Sequence, residues 1–335
     1  MKLLKVMSIS EKYEQMKWII ARNELNSRYR RGSLSYQKPK SSSTFDMHER
    51  VNGLHLGLRS VILPDIVEWL SNMDVNLYDI NHRDEKIKTS LLPDIGIHWN
   101  EYECEPMSAT VHTVLQFMHQ HRDRNPVVLK NEYWYHQKLA QKTINDTSDL
   151  SKDDLLIVSV PFYSNLKNHE LIEDILSFCS NLGIPVLLDI IWLPLTKEII
   201  KLTNTDCVQV ITHSLSKTIP MAGMKGGFAF WRKPLNKEQV LYPLGNKLIH
   251  YIGNRYIEDF GYYHTRKICE PYQAKWCKIF ELEQHDLCYV GKIPKGHWLE
   301  TENLHAHEFD AGEKLFSLVP YIENDSVLTR FIENN

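Results

Sequence analysis

Lys217 follows the apolar run 207–212 and stands among three hydroxyls, Ser214, Ser216 and Thr218. An amine just beyond a strand is a base and a nucleophile toward carbonyl carbon. Asp189 closes another apolar run, 185–189, as a carboxylate leaving a buried strand. Ser108, Ala109 and Thr110 precede a stretch with helical spacing. Hydroxyls and helix N-terminal amides at such a place can hold a phosphate, although ordinary helix capping has the same sequence pattern. A glycine-bearing turn, 222–227, separates Lys217 from the next apolar run.

The elements that must carry these groups are legible as short apolar runs alternating with helical patterns. Residues 126–130, 155–160, 185–189, 207–212 and 227–231 read as buried strands. Residues 111–121, 133–142, 170–182 and 195–202 have helical spacing between them. In the third of these, Leu171, Ile172, Ile175, Leu176 and Cys179 share one side, and Gly183 is a natural stop. Such alternation predicts a mostly parallel sheet covered on both faces, with ligands at the carboxyl ends of the strands.

Bulk properties narrow the function classes. The chain has 335 residues, 43% hydrophobic and 24% charged, with a formal net charge of -3. That balance argues against a dedicated nucleic-acid or membrane-surface protein. No apolar run is long enough to span a bilayer, and the N-terminus carries no secretory pattern, so a cytoplasmic location is expected. The six cysteines form no CxxC pair, consistent with free thiols. His305 and His307, near His297 and Glu308, alternate as ligands on a strand could, but packed or exposed histidines are the preferred reading and no metal is expected. Neither GxGxxG nor GxxxxGK[ST] occurs. Residues 26–44 are polar and basic and read as a solvated arm whose arginines could also bind an anion. The aromatic-rich stretch 251–263 reads as core or dimer packing rather than an RNA-binding surface.

Taken in order, these motifs resemble class I/II aminotransferases, the fold-type I enzymes that use pyridoxal 5'-phosphate (PLP). Ser214-Leu215-Ser216-Lys217 followed by Gly223-Met224-Lys225-Gly226-Gly227 resembles the family's S-x-S-K…G-x-R-x-G block. Asp189-Ile190-Ile191-Trp192 is similar to its D-x-x-Y, and Ser108-Ala109-Thr110 to its phosphate cup. Residues 159–165 occupy the place of its S-N-P-x-N-P-T-G, and Tyr78-Asp79-Ile80-Asn81 resembles the segment whose tyrosine reaches a neighbouring subunit's phosphate. Residues 295–299 resemble a small-domain strand, and Arg330 stands where the family binds a substrate carboxylate.

The resemblance implies a three-layer α/β/α large domain with a mostly parallel seven-stranded sheet over residues 51–245. It also implies an N-terminal arm over 1–50, and a connecting helix with a small C-terminal α/β domain over 246–335. It implies that Lys217 forms a Schiff base with the PLP aldehyde and later carries a proton. Asp189 would pair with the ring nitrogen, with helix capping as its plainer role. Ser108, Ala109, Thr110, Ser214, Lys225 and Tyr78 would hold the phosphate. Trp134 would stack on the ring, unless it belongs to the core. The implied activity is transfer of an amino group between an amino acid and a 2-oxo acid or other carbonyl acceptor, in a homodimer acting on a small amino acid or amine.

Departures from the family's pattern bear on the reaction. The usual phosphate-binding arginine is Lys225, a point charge without a bidentate fork. The asparagine that donates to the cofactor's phenolic oxygen falls at Phe162 or Tyr163, where the Tyr163 hydroxyl could substitute. Its tyrosine partner is Trp192, which can donate but not accept. These changes leave open a decarboxylase, lyase or cyclase, or a non-catalytic homologue.

Overall fold

The computed structural model describes residues 61, 63–75, 87–220, 226–233, 247–297, 306–308, 314–319 and 321–322. The predicted arm, Tyr78, Lys225, Trp298, His305 and Arg330 lie outside these residues, as do the side chains of 306–308.

The five apolar runs form strands close to where the sequence puts them: β2 (Asn125–Leu129), β4 (Asp154–Ser159), β5 (Val186–Asp189), β6 (Val208–Ser214) and β7 (Gly227–Trp231). Two more strands, β1 (Glu103–Met107) and β3 (Lys142–Ile144), complete a seven-stranded sheet of order β1-β7-β6-β5-β4-β2-β3. Strands β3, β2, β4, β5 and β6 run parallel, and β7 is antiparallel to both β6 and β1. It follows that β1 ends on the same rim as the parallel strands.

Every residue of β4, β5 and β7 is buried, as expected for strands covered on both sides. One face packs Val128, Leu155, Ile157, Leu187 and Val210 against Val114 and Phe117 of α2 (Thr110–Gln120). The other packs Leu156, Val158, Leu188 and Ile211 with Ile172, Ile175, Leu176 and Cys179 of α4 (Ile172–Leu182). The remaining described helices are α1 (Pro64–Ser71), the short α3 (Trp134–Leu139), the single turn α5 (Leu215–Thr218), α6 (Lys247–Phe260) and α7 (His264–Phe280). Helix α4 ends as predicted, with Gly183 left-handed at φ 65° and the Ile184 N–H returning to the Cys179 carbonyl. A second, antiparallel sheet of order β10-β11-β9-β8 is built from β8 (Glu283–Gln284), β9 (Val290–Lys292), β10 (Ala306–Glu308) and β11 (Lys314–Ser317).

The predicted helix over 195–202 does not form. A short 3-10 turn, Leu193–Leu195, contains Pro194, and residues 196–202 form no helix. Its backbone groups pair elsewhere: Lys197 N–H with the Asp286 carbonyl, Cys288 N–H with that of Leu195, and Leu202 N–H with that of Ile95. Tertiary pairing thus overrides a helical spacing that lacks capping signals.

Candidate functional site

The sheet register brings the sequence-predicted residues to one rim. In the parallel ladder Ser159 stands opposite Asp189, and Asp189 opposite Thr212. Ser214, at the end of β6, pairs with Gly227, which pairs in turn with Met107 at the end of β1. Ser108 therefore leaves β1 on the edge where Ser214 leaves β6, with Asp189 one strand further along. The close pass of β7 over β6 needs glycine. A Cβ on Gly227 would lie 2.0 Å from the His213 carbonyl oxygen, and Gly226 has φ +129°.

Lys217 sits on α5, a turn held from several sides. Ser214 caps it, with Oγ accepting the Ser216 N–H at 3.3 Å and lying 3.0 Å from Ser216 Oγ. Beneath it His213 is fully buried, with Nε2 2.7 Å from Thr218 Oγ1. Burial pushes this imidazole down to about 3, so it is neutral at ordinary pH. Thr265, at the start of α7, donates its hydroxyl to the Thr218 carbonyl and lies 2.9 Å from the Tyr256 hydroxyl of α6. The Lys217 ammonium lies over the indole of Trp192, 5.0 Å from the ring centre.

Trp192 is also the residue three beyond Asp189, so the amine and the carboxyl border one locale. Asp189 is 4% exposed. Its Oδ1 accepts from Thr212 Oγ1 at 3.1 Å and from the Ile191 N–H at 3.3 Å. Its Oδ2 faces His136 Nε2 at 3.6 Å, too far for a hydrogen bond. Burial, opposed by the Thr212 hydrogen bond, pushes the carboxyl up to about 7. His136 is pushed down by burial to about 4, so it brings no charge to balance Asp189. Both His136 ring nitrogens are buried without a hydrogen-bond partner. A buried carboxyl beside an unsatisfied neutral imidazole fits a small cationic ring nitrogen.

Helix α2 begins at the phosphate-cup residues, and no side chain caps it: Ala109 is its N-cap. Ser108 Oγ lies 2.7 Å from His112 Nδ1 in the first turn. The uncapped amides and nearby hydroxyls fit a phosphate. The donor set as a whole therefore fits PLP.

Between these groups lies an acid that sequence reasoning passed over. Glu132 is buried, and its Oε1 accepts the Tyr133 N–H at 2.7 Å while its Oε2 accepts the Ser159 N–H at 2.8 Å. The Ser159 hydroxyl donates to it as well, and Ser159 Oγ accepts the Tyr163 N–H at 3.1 Å. Burial raises the Glu132 carboxyl above the usual carboxylate range, against these hydrogen bonds. Glu132 thus ties the turn after β2 to the end of β4.

That turn decides which aromatic faces the site. Tyr133 packs edge-on to His136, with ring centres 5.2 Å apart, and lies 5.1 Å from the Tyr163 ring. Burial, and next the nearby Asp189 charge, push its phenol up to about 12. Trp134 contacts Tyr133 and Tyr135 and carries the Lys138 ammonium 4.7 Å over its ring. Of these two adjacent aromatics, Tyr133 is the one whose described ring contacts reach His136 and Tyr163.

Comparison with models of protein families finds no match, and neither does comparison with curated proteins. Solved structures do match. An aminotransferase from Neisseria meningitidis is 14% identical, with 82% of this chain and 91% of that one covered at a TM-score of 0.54. A putative PLP-dependent beta-cystathionase from Corynebacterium diphtheriae is 11% identical, with coverage of 81% and 89% and a TM-score of 0.50. Tyrosine aminotransferase from Leishmania infantum is 12% identical, with coverage of 87% and 99% and a TM-score of 0.50. The chain has the fold that these proteins share.

Proposed function

We propose that this chain is a PLP-dependent enzyme of fold type I that transfers an amino group between an amino acid and a 2-oxo acid or other carbonyl acceptor. The observation that carries the reading is a Lys217 amine and a buried Asp189 carboxyl on neighbouring strand ends, bridged by Trp192. PLP supplies an aldehyde that amines condense with and a cationic ring that withdraws electrons from the substrate α-carbon. Asp189 would pair with the protonated ring nitrogen, its carboxyl held by the Thr212 hydroxyl and the Ile191 N–H. Ser108, Ser214 and the first-turn amides of α2 hold the phosphate, and Lys225 adds charge. Tyr133 covers the ring, and Tyr163 stands beside it. Lys217 Nζ would anchor the group and, as an amine, would serve as the base that accepts a proton from the substrate α-carbon. The same reading expects a cytoplasmic homodimer, with Tyr78 reaching the partner's site and Arg330 holding a substrate carboxylate.

One observation favours a second reaction type. Trp192 stands where a hydroxyl would share the cofactor's phenolic oxygen, and an indole has no acceptor. A decarboxylase, lyase or cyclase on the same scaffold is the alternative. Purified protein loaded with PLP should absorb in the near-visible, and borohydride should remove that band and leave a pyridoxyl mass on Lys217. A colourless protein would refute the enzyme reading and leave a non-catalytic homologue. Release of a 2-oxo acid from an added amino acid supports amino transfer; carbon dioxide or a cleaved side chain supports the alternative.

A further inference from the structure

We infer that Glu132 is a positioning residue: through the Ser159 hydroxyl, one buried carboxylate fixes the backbone of both tyrosines, Tyr133 and Tyr163, that flank the proposed cofactor ring. The inference rests on the functional reading above for what the tyrosines do, while the hydrogen-bond relay stands without it.

Glu132 is 1% exposed. Three donors meet its carboxyl: the Tyr133 N–H and the Ser159 hydroxyl on Oε1, and the Ser159 N–H on Oε2. All three give and none accepts, which suits an ionised, acceptor-only group. The Ser159 hydroxyl has a single proton. Giving it to Glu132 leaves the oxygen lone pairs for the Tyr163 N–H, 3.1 Å away. The Tyr163 backbone thus depends on a carboxyl that its amide does not touch. Glu132 is itself held, since its N–H bonds to the Leu129 carbonyl and its carbonyl accepts the Gln137 side-chain amide. Ser159 stands opposite Asp189, and the next residue, Val160, donates its N–H to the Asp189 carbonyl at 2.9 Å. The two tyrosine rings, 5.1 Å apart, are thereby set in one register with the carboxyl proposed to face the ring nitrogen.

The chemistry of the donors explains why a carboxylate stands here. An amide of the same shape has one accepting oxygen. Turned either way, its NH2 would face the N–H of Tyr133 or that of Ser159, so one backbone donor is stranded. An aspartate keeps both oxygens but is one methylene too short to reach the same three donors. The relay also has two separable arms. Removing the Ser159 hydroxyl cuts the arm to Tyr163 and leaves the bond from the Tyr133 N–H in place. Removing the carboxyl cuts both.

The test uses the full chain with nitrogen-15 labelled tyrosine. The amide signals of Tyr133 and Tyr163 are identified by their loss in Tyr133→Phe and Tyr163→Phe. In cofactor-free Ser159→Ala, hydrogen exchange at the Tyr163 amide should quicken about 5- to 150-fold, the range for one stranded donor, while Tyr133 exchanges at its native rate. In Glu132→Ala both should quicken. Loaded with PLP, Glu132→Gln should show weaker near-visible circular dichroism of the bound cofactor than the native chain, because the rings beside it are no longer held. A scaffolding role alone would lower the urea midpoint and leave both that band and the split between the two amides unmoved. Should Glu132→Ala fail to fold, Ser159→Ala and Glu132→Gln carry the test. Native exchange at Tyr163 in Ser159→Ala, or unchanged dichroism in Glu132→Gln, overturns the inference. A chain that shows the exchange pattern but takes up no PLP supports the relay while refuting the functional reading, so the two fail separately.

Discussion

Replacing Asp189 by asparagine should stabilise the cofactor-free protein at neutral and alkaline pH, even though it weakens PLP binding. Burial raises the native carboxyl from its ordinary 3.8 to about 7. Between those values the unfolded chain has released a proton that the folded chain keeps. Stability is therefore fully present below about pH 4 and falls as pH rises toward the folded-state value. The slope is about 1.4 kcal/mol per pH unit, and the whole decline reaches about 4 kcal/mol by pH 8. The substituted amide has no proton to lose, and it keeps the volume and an acceptor for Thr212. Urea unfolding of both proteins without cofactor, at intervals from pH 4.5 to 8.5, measures the difference directly. Asp189→Asn should lie within about 1 kcal/mol of the native chain at the acid end and exceed it by up to about 4 kcal/mol at the alkaline end. Adding PLP should reverse the order at pH 8, because a cationic ring nitrogen compensates the carboxylate and finds no counter-charge in the amide. A stability difference that does not vary with pH would refute the claim that Asp189 is an uncompensated buried acid.

Three other outcomes follow from the geometry. Glu132→Ala strands the buried Ser159 N–H and leaves Tyr133 N–H without its partner, at about 1–3 kcal/mol for each donor, so the urea midpoint should fall markedly; Glu132→Gln should lose less. Gly227→Ala drives a methyl into the His213 carbonyl and should cost about 3 kcal/mol or more, with a loss of PLP uptake because the β7–β6 contact lies beside α5. Gly183→Ala has open space around it but keeps φ 65°, so a loss of only about 1–2 kcal/mol in thermal unfolding is expected, with PLP uptake unchanged.

The five strands that a reader can find are those whose both faces are buried, since they leave uninterrupted apolar runs. Strand β1 escapes because Glu103-Cys104-Glu105-Pro106-Met107 is polar, half-exposed and contains proline, all of which its edge position tolerates. Strand β3 is only three residues long. Among the candidate site residues, Asp189 and Ser214 are legible because each ends a strand, and Lys217 because it follows one. Glu132 and His136 are not. Their role comes from register, which sets Ser159 opposite Asp189 and folds the turn after β2, through Asn131 at φ 68°, over both. The same turn brings the Tyr133 ring against His136 and Tyr163, a contact that composition alone does not show.

Helix α7 touches both halves of the architecture. Near its start, Thr265 grips the carbonyl of Thr218. Two turns on, the buried Gln273 Nε2 lies 2.8, 2.9 and 2.7 Å from the carbonyl oxygens of His285, Leu287 and Val290, in the β8–β9 connection and at the start of β9. One helix thus hydrogen-bonds near its start to the turn that bears Lys217 and further on to the chain of the second sheet, so a substitution that shifts α7 bears on both.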